Sequence, residues 1–431
     1  MSIAERIRLV LGKGGAKVIR PRPGQVVRAT AEDAWRDYPA DGLTPGRLAS
    51  ILKAADAGDL RAAMDLYEQM EEKDAHLYSV ANTRRLGVTG LAWQVVSAAD
   101  VIDGLDRALA DEAAHYCREV LVGLEDFDEV LQHLALALGR NVSAAELVWD
   151  WQGGTHRLAR IVPVPFGRLT ADNRGRLRIL AEAHQFEGMP LQANKFIVHM
   201  PQSVSGHPAR GGLLRVTAMA FLGKHYTLKD WLVFSEVFGM PVRIARYEPQ
   251  ATPTEKRELL EMLKNLGADA VGIFSKAVDL EIKESIKPAG STPYESLCDF
   301  FNREISKAWL GQTLTVDTSG STGTFSAATI HDRVRQDIRD DDVRKEGRTI
   351  RRDLLRPLVQ LRFGPAAPVP FFRRSLEVPR DVEALARVLA AAVNDLGMRV
   401  PLRWAHEALG VPMIEHGEGA VPGGTAQRMT D

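Results

Sequence analysis

Apolar residues recur at three- and four-residue spacing along most of this 431-residue chain, so helices are expected to dominate it. Residues 43–57 and 60–71 read as two helices separated by Gly58. Thr44 ahead of Pro45 supplies an N-cap with proline in the first turn. Residues 74–85 continue helically with Leu77, Val80 and Ala81 on one face, Gly87 is expected to end the helix, and 88–96 has strand character around Trp93. Two more helical patterns cover 106–122 and 126–138. In the second, Phe127, Val130, Leu131, Leu134 and Leu138 line up as one apolar stripe.

The pattern changes after Gly139. Between 145 and 200 the segments ELVWDWQ, HRLARIVPVP, GRLRILAEAH and KFIVHMP are short and strand-like, with turn residues Gly153-Gly154 and 173–175 between them. This predicts a small α/β module inserted into a helical chain. Pro208 and Gly211-Gly212 then open a helix over 213–238, roughly 39 Å long at the usual rise. Residues 254–266 form an amphipathic helix with Thr254 as the expected N-cap and Gly267 as its close. Residues 270–282 alternate like two short strands, and 293–310 is helical again. A loop rich in Gly, Ser and Thr over 311–326 precedes a long charged helix from Ala327. There Ile330, Val334 and Ile338 share a face, Gly347 is a weak point and Pro357 a kink or stop. A Pro-rich link over 364–370 leads to helices at 382–396 and 402–409, and 417–431 reads as disordered. The expected fold class is mainly α with α+β insertions.

Charge narrows the function. With 55 Lys and Arg against 56 Asp and Glu, the formal net charge is −1. A protein that grips nucleic acid through phosphates is normally basic, whereas a surface along which DNA slides needs little adhesion. The exception is the N-terminus, where Arg6, Arg8, Lys13, Lys17, Arg20, Arg22 and Arg28 face a single acid, Glu5. It reads as a solvated basic arm, or one that touches DNA or a neighbouring subunit. Cys117 and Cys298 have no partner at metal spacing, so both are expected reduced and buried, which points to assembly in a cytoplasm. No apolar run reaches the roughly 18 residues of a membrane span, and the apolar core at the N-terminus is short for a signal peptide.

No chemical motif stands out. LGKGGAK near Gly12 lacks the spacing of a phosphate-binding loop, and Ser205 between His199 and His207 has no nucleophile-elbow context. The run Asp340-Asp341-Asp342 cannot converge on one ion, because consecutive helical residues point about 100° apart. Salt links to Arg339, Arg344 and Lys345 fit it better. No catalytic, cofactor-binding or metal-binding residue is expected.

One ordered set of segments is more specific. EEKDAHLYSVANTRRLGVTGLAW, FDEVLQHLALALGRNVSAAELVWDW, the stretch from FIVHMPQSVSGHPARGG to FSEVFGMPVRI, ISKAWLGQTLT and finally IHDRVRQDI follow one another over about 43–413. In this order the chain resembles the portal proteins of Mu-like tailed phages, as found in phages, prophages and gene transfer agents. The resemblance implies a portal fold of wing, stem, clip and crown, laid out as follows: basic arm 1–42, wing 43–125, stem helix 126–142, clip-like α/β insertion 143–205, stem helix 206–241, second wing part 242–363 with a tunnel loop at 312–326, crown-like region 364–415, tail 416–431. It implies a virion protein, a ring (a homododecamer) at one capsid vertex through which double-stranded DNA is packaged and ejected. The implied partners are other copies of itself, the large terminase subunit, the major capsid and scaffold proteins and a head–tail connector, with no membrane. Thr318, Ser319, Ser321 and Thr322 of the loop and Arg215, Lys224 and Lys229 of the second stem helix are then channel candidates. Those three helical cations lie about 180° and 140° apart, so at least one serves a subunit contact. Arg335, Arg339, Asp340, Asp341 and Arg344 are subunit-interface candidates. A monomeric helical adaptor or scaffold protein, or a metal-dependent nucleic-acid enzyme using the three aspartates, are the competing readings.

Overall fold

The computed structural model describes residues 18–27, 40–152, 154–181, 184–201, 206–239, 243–247, 250, 252–265, 271–275, 293–313, 325–376 and 382–411. The chain divides into two units, residues 1–374 and 375–431.

The first unit opens with α1 (Pro45–Asp56), α2 (Arg61–Lys73) and α3 (Ala75–Thr89). Thr44 accepts the Arg47 amide as the N-cap of α1, and Asp74 caps α3 by accepting the amides of His76 and Leu77. Gly58, at φ +110, lets the chain turn between α1 and α2, and a Cβ there would run into the Ala171 carbonyl oxygen. The expected stop at Gly87 is absent. Helix α3 runs on to Thr89 because Val88 is buried, so packing outweighs the local cost of glycine. Strand β1 (Trp93–Val96) follows, then α4 (Arg107–Val122). The apolar stripe at 126–138 gives not one helix but two, α5 (Phe127–Ala135) and α6 (Ala137–Arg140). Asn141, at φ +71, ends the second.

Three of the next strands form one antiparallel sheet, β3 (Thr155–Pro163), β2 (Ser143–Gln152), β7 (Phe196–His199), in that order. A second sheet runs β4 (Leu169–Ala171), β5 (Leu177–Ala181), β6 (His184–Pro190). The expected strand segments are there, but they do not form a separate module. Val142, Ala144, Val164, Leu169 and Ile179 share one core with α1–α3. Leu147, Trp149, Leu158 and Ile197 share the other with α4, α5 and residues 350–372. The two faces of this β region thus sit in two cores.

Helix α7 (Leu213–Gly239) comes next, followed by β8 (Arg243–Tyr247), α8 (Pro253–Asn265) and β9 (Val271–Ser275). The two strands pair in parallel, so the segment is a β-α-β unit. Its helix is capped at Thr252 and not at Thr254: the Glu255 amide donates to Thr252 Oγ1 and the Thr252 amide to Glu255 Oε2, a reciprocal capping box around Pro253. Of the two strands expected at 270–282, β9 is described and the remainder lies outside the described residues. Helix α9 (Pro293–Leu310) ends at Gly311, φ +69, and α10 (Phe325–Ile350) is the long charged helix. Pro357 does not stop the chain, and the helical ladder is irregular just ahead of it. One π turn, Arg351–Leu355, joins α10 to α11 (Arg356–Phe363), widening the ladder where the proline that follows supplies no amide. Strand β10 (Phe371–Arg374) then pairs antiparallel with β1. The second unit holds α12 (Val382–Asn394) and α13 (Leu402–Leu409), the latter closed by Gly410 in the left-handed conformation.

Candidate functional site

Helices α7 and α9 pack on each other as an antiparallel pair. Near one end, Leu214 and Trp309 both press on the Cα of Gly139; midway, Gly223 lies against the Phe301 ring; farther out, the Phe234 and Tyr294 rings are 5.5 Å apart. The residue numbers rise on one helix as they fall on the other, which fixes the direction. The 214/309 end is set in the core, with Leu214 and Trp309 completely buried, whereas Leu228, Leu232 and Val233 beyond it are exposed. The β8-α8-β9 unit lies in the sequence between the outer ends of this pair. Among helices, α9 is the main partner of α7, with the short α6 against its buried end; α5 packs on α3 and the sheet instead.

The three cations expected along α7 have distinct surroundings. Arg215 binds Asp56 at 3.0 Å, and this Arg together with Arg210 holds the Asp56 carboxyl below its ordinary range despite partial burial, which acts to raise it. Lys224 reaches inward to Asp74 at 2.7 Å, so that carboxylate both caps α3 and neutralises a cation from α7. Lys229 is exposed. Arg215 and Lys224 therefore pin α7 to the ends of α1 and α3 within one chain.

Helix α10 is fixed to this frame by its acids. Asp342 is buried and receives a two-point hydrogen bond from Arg84 of α3, whose other nitrogen donates to the Trp309 carbonyl of α9 at 2.8 Å. One arginine thus ties α3, α9 and α10 together. Asp340 pairs with Arg339, and Asp341 with Lys345 at 2.6 Å and Arg344 at 3.6 Å. The three aspartates point to different partners, and among the described residues no group of acids, histidines or cysteines could hold a metal ion. Arg335 and Arg344 are exposed. Thr318, Ser319, Ser321 and Thr322 lie outside the described residues, as does Ser205. His207 Nδ1 accepts the Ala209 amide, a turn contact. Cys117 and Cys298 are both free thiols and buried, and burial pushes the Cys117 thiol up to about 12. No helix among the described residues is long and apolar enough to cross a membrane.

Four buried charge contacts were not visible in the sequence. Glu71 receives Arg85 and Arg140, Arg374 forks onto Glu346 at 2.8 Å, and Lys195 meets Glu146 with both side chains fully buried. Most of these partners lie tens of residues apart, so spacing rules for ion pairs cannot detect them. Glu146 also accepts the amides of Val26 and Val27, while the Lys195 ammonium donates to the Gly24 carbonyl. Residues 18–27 are thereby strapped across sheet β3-β2-β7, helped by the amide of Gly24 on the Trp149 carbonyl and by Asn194 on Ile19.

Among the described residues, then, helices are tied to one another by ion pairs around a two-cored β region. Comparison with known proteins gives the class: residues 64–411 match the family described as the portal protein of Mu bacteriophage. The chain belongs to this family of Mu-like phage portal proteins. It is 32% identical over 392 residues to the Mu-like prophage FluMu protein gp29 of Haemophilus influenzae, covering 89% of this chain and 74% of that one. It is 31% identical over 387 residues to the portal protein of Escherichia phage Mu, covering 88% and 72%. A chain from the virion of a native gene transfer agent shares its fold, with a TM-score of 0.51 at 11% identity over 95% of this chain and 99% of that one.

Proposed function

We propose that this protein is the subunit of a portal, a ring seated at one capsid vertex of a phage, prophage or gene-transfer-agent particle, through which double-stranded DNA is packaged and later ejected. The observation that carries the reading is the family match over residues 64–411, on a chain whose α7–α9 pair is set in the core at one end and joined in sequence through a β-α-β unit at the other. The role is one of geometry: the large terminase subunit supplies the ATP hydrolysis, and this chain guides DNA that passes without sequence preference. Its near-neutral charge suits a passage that must not hold phosphates. Its other partners are copies of itself in a dodecameric ring, the major capsid and scaffold proteins, and a head–tail connector, with assembly in the bacterial cytoplasm.

The packing supports a layout that differs from the one expected at 126–241. The stem is the α7–α9 pair, and the clip, which meets the terminase, is the segment between them built on β8-α8-β9. Residues 126–205 belong with the wing, whose cores they share. The tunnel loop stays at 312–326, leaving α9 through Gly311 and entering α10. The crown is the unit after 374.

Mass photometry followed by negative-stain imaging tests the reading. Purified protein, alone or with its capsid and scaffold proteins, should form open-centred rings of about a dozen copies with cyclic symmetry. A chain that stays monomeric under all of these conditions would instead be an adaptor.

A further inference from the structure

Helix α7 carries more exposed apolar side chains than a helix of a lone globular protein needs. Val216, Met219, Tyr226 and Val233 are all exposed, Val216 at 64%. At 100° per residue they form one stripe. Next to it, Phe300 of α9 is 47% exposed. Val216, Met219, Tyr226 and Phe300 wall an apolar groove of ≈ 740 Å³ between α7 and α9, and Val233 continues the stripe beyond it. Its floor holds the small residues Ala220, Gly223 and Ala308, so the walls stand clear of the floor.

Leu228 and Leu232 are exposed too, Leu232 at 71%. Counted around the helix they lie about 160° from the stripe, on the opposite side of α7. The same helix pair therefore has a small-floored groove on one side and a leucine ridge on the other. Groove-to-groove pairing across a two-fold axis would leave the leucines in water. Head-to-tail repetition buries both faces in every subunit, and it closes when the rotation divides a full turn.

We infer that the occupant of the groove is the Leu228–Leu232 ridge of the neighbouring copy of this chain, an inference that rests on the ring reading and specifies its contact. Small residues in the floor allow a leucine ridge of one helix to settle between two others. The ridge centre lies about nine residues, ~14 Å, farther along α7 than the groove centre. Copies at equal height meet in that way when α7 is inclined to the ring axis.

The test uses full-length Met219→Glu, which spoils the groove, and Leu232→Glu, which spoils the ridge, each beside the wild type. Mass photometry should show each variant losing at least about tenfold of its ring fraction. Mixed in equal amounts, the two should form a one-to-one pair and no ring, since one intact ridge meets one intact groove and the remaining faces are blocked. Either variant forming rings as the wild type does, or a mixture that yields no pair, overturns the inference while the ring reading stands. If the wild type forms no rings even with its capsid and scaffold proteins, the ring reading falls and this contact falls with it. Circular dichroism melting guards against misfolding: a variant that melts below the wild type is replaced by Tyr226→Lys in the groove or Leu228→Lys on the ridge, read against the same outcomes.

Discussion

His133 and His199 are buried among groups that disfavour their charge. Burial, the largest cause, drives His133 down to about 4, and its Nε2 donates to the Ala144 carbonyl, which partly offsets that shift. His199 is lowered to about 3 by burial, with the cations Arg352 and Lys345 adding to the effect, and its Nδ1 meets the Thr349 hydroxyl. In the unfolded chain both would titrate near 6.5. Between about pH 6.5 and 4 the unfolded state therefore binds more protons than the folded one. The stability these residues contribute is complete above pH 6.5 and is lost as the pH falls towards 4. For His133 alone the loss at pH 5 is about 2 kcal/mol. Urea unfolding should give a lower midpoint at pH 5 than at pH 7.5, and His133→Gln should shrink that difference. A wild-type midpoint that does not move between the two pH values would contradict the neutral burial of these rings. Nothing in the sequence marked either histidine as buried: His199 stood out only for its distance from Ser205, and the true signal was its place on the inward face of strand β7.

At the scale of elements, periodicity revealed most helices, but partners decided where they ended. Val88 carried α3 past Gly87, and the turn at Leu136 split a continuous apolar stripe. The pairing of α7 with α9 could not be read from spacing, because 53 residues separate Gly239 from Pro293, with β8, α8 and β9 among them. The strap at 18–27 was hidden for the same reason. Its sequence, VIRPRPGQVV, reads as a polar arm, and a fully buried Glu146–Lys195 pair over a hundred residues away is central to how it is held. This carboxylate takes two consecutive amides of the strap, each a charge-assisted bond. Glu146→Ala removes both and leaves Lys195 buried beside nothing but the Gly24 carbonyl. Losing even one bond of about 1.5 kcal/mol raises the open fraction of the strap by about tenfold. Limited thermolysin digestion, which cuts on the amino side of apolar residues, should then cleave ahead of Val26 or Val27 at a rate about tenfold above the wild type. Arg20 and Arg22 are each followed by proline, so trypsin would not report this opening. Equal rates in the two proteins would mean that the strap is held by its other contacts, such as Gly24 on Trp149 and His156 on the Pro21 carbonyl.

For the whole molecule, the ordered set of segments carried the family, and the match over 64–411 confirms it. The internal layout was harder to read, since a β-rich stretch between helices looks like an insertion whichever cores its two faces enter. The boundary at 374 has a clearer physical basis. Arg374 is the last residue held by the first unit: its guanidinium forks onto buried Glu346 and reaches the Leu91 carbonyl, while β10 completes the pair with β1. Beyond it, α12, α13 and the turn between them expose Val388, Leu396, Leu402 and Trp404 and belong to a unit of their own. A chain ended after Leu376 is expected to keep both cores intact, because neither contains a described residue of the second unit. It should retain the wild-type melting temperature of the first unit within the small range typical of changes that leave a core untouched. If the stem pair makes the ring contacts, the shortened chain should also assemble, and its rings should be smaller in mass by the missing unit per copy. A shortened chain that melts lower would show that the second unit supports the first. One that melts normally but stays monomeric would move the ring contacts from the α7–α9 pair to the region after 376, and would separate the source of folding stability from the source of assembly.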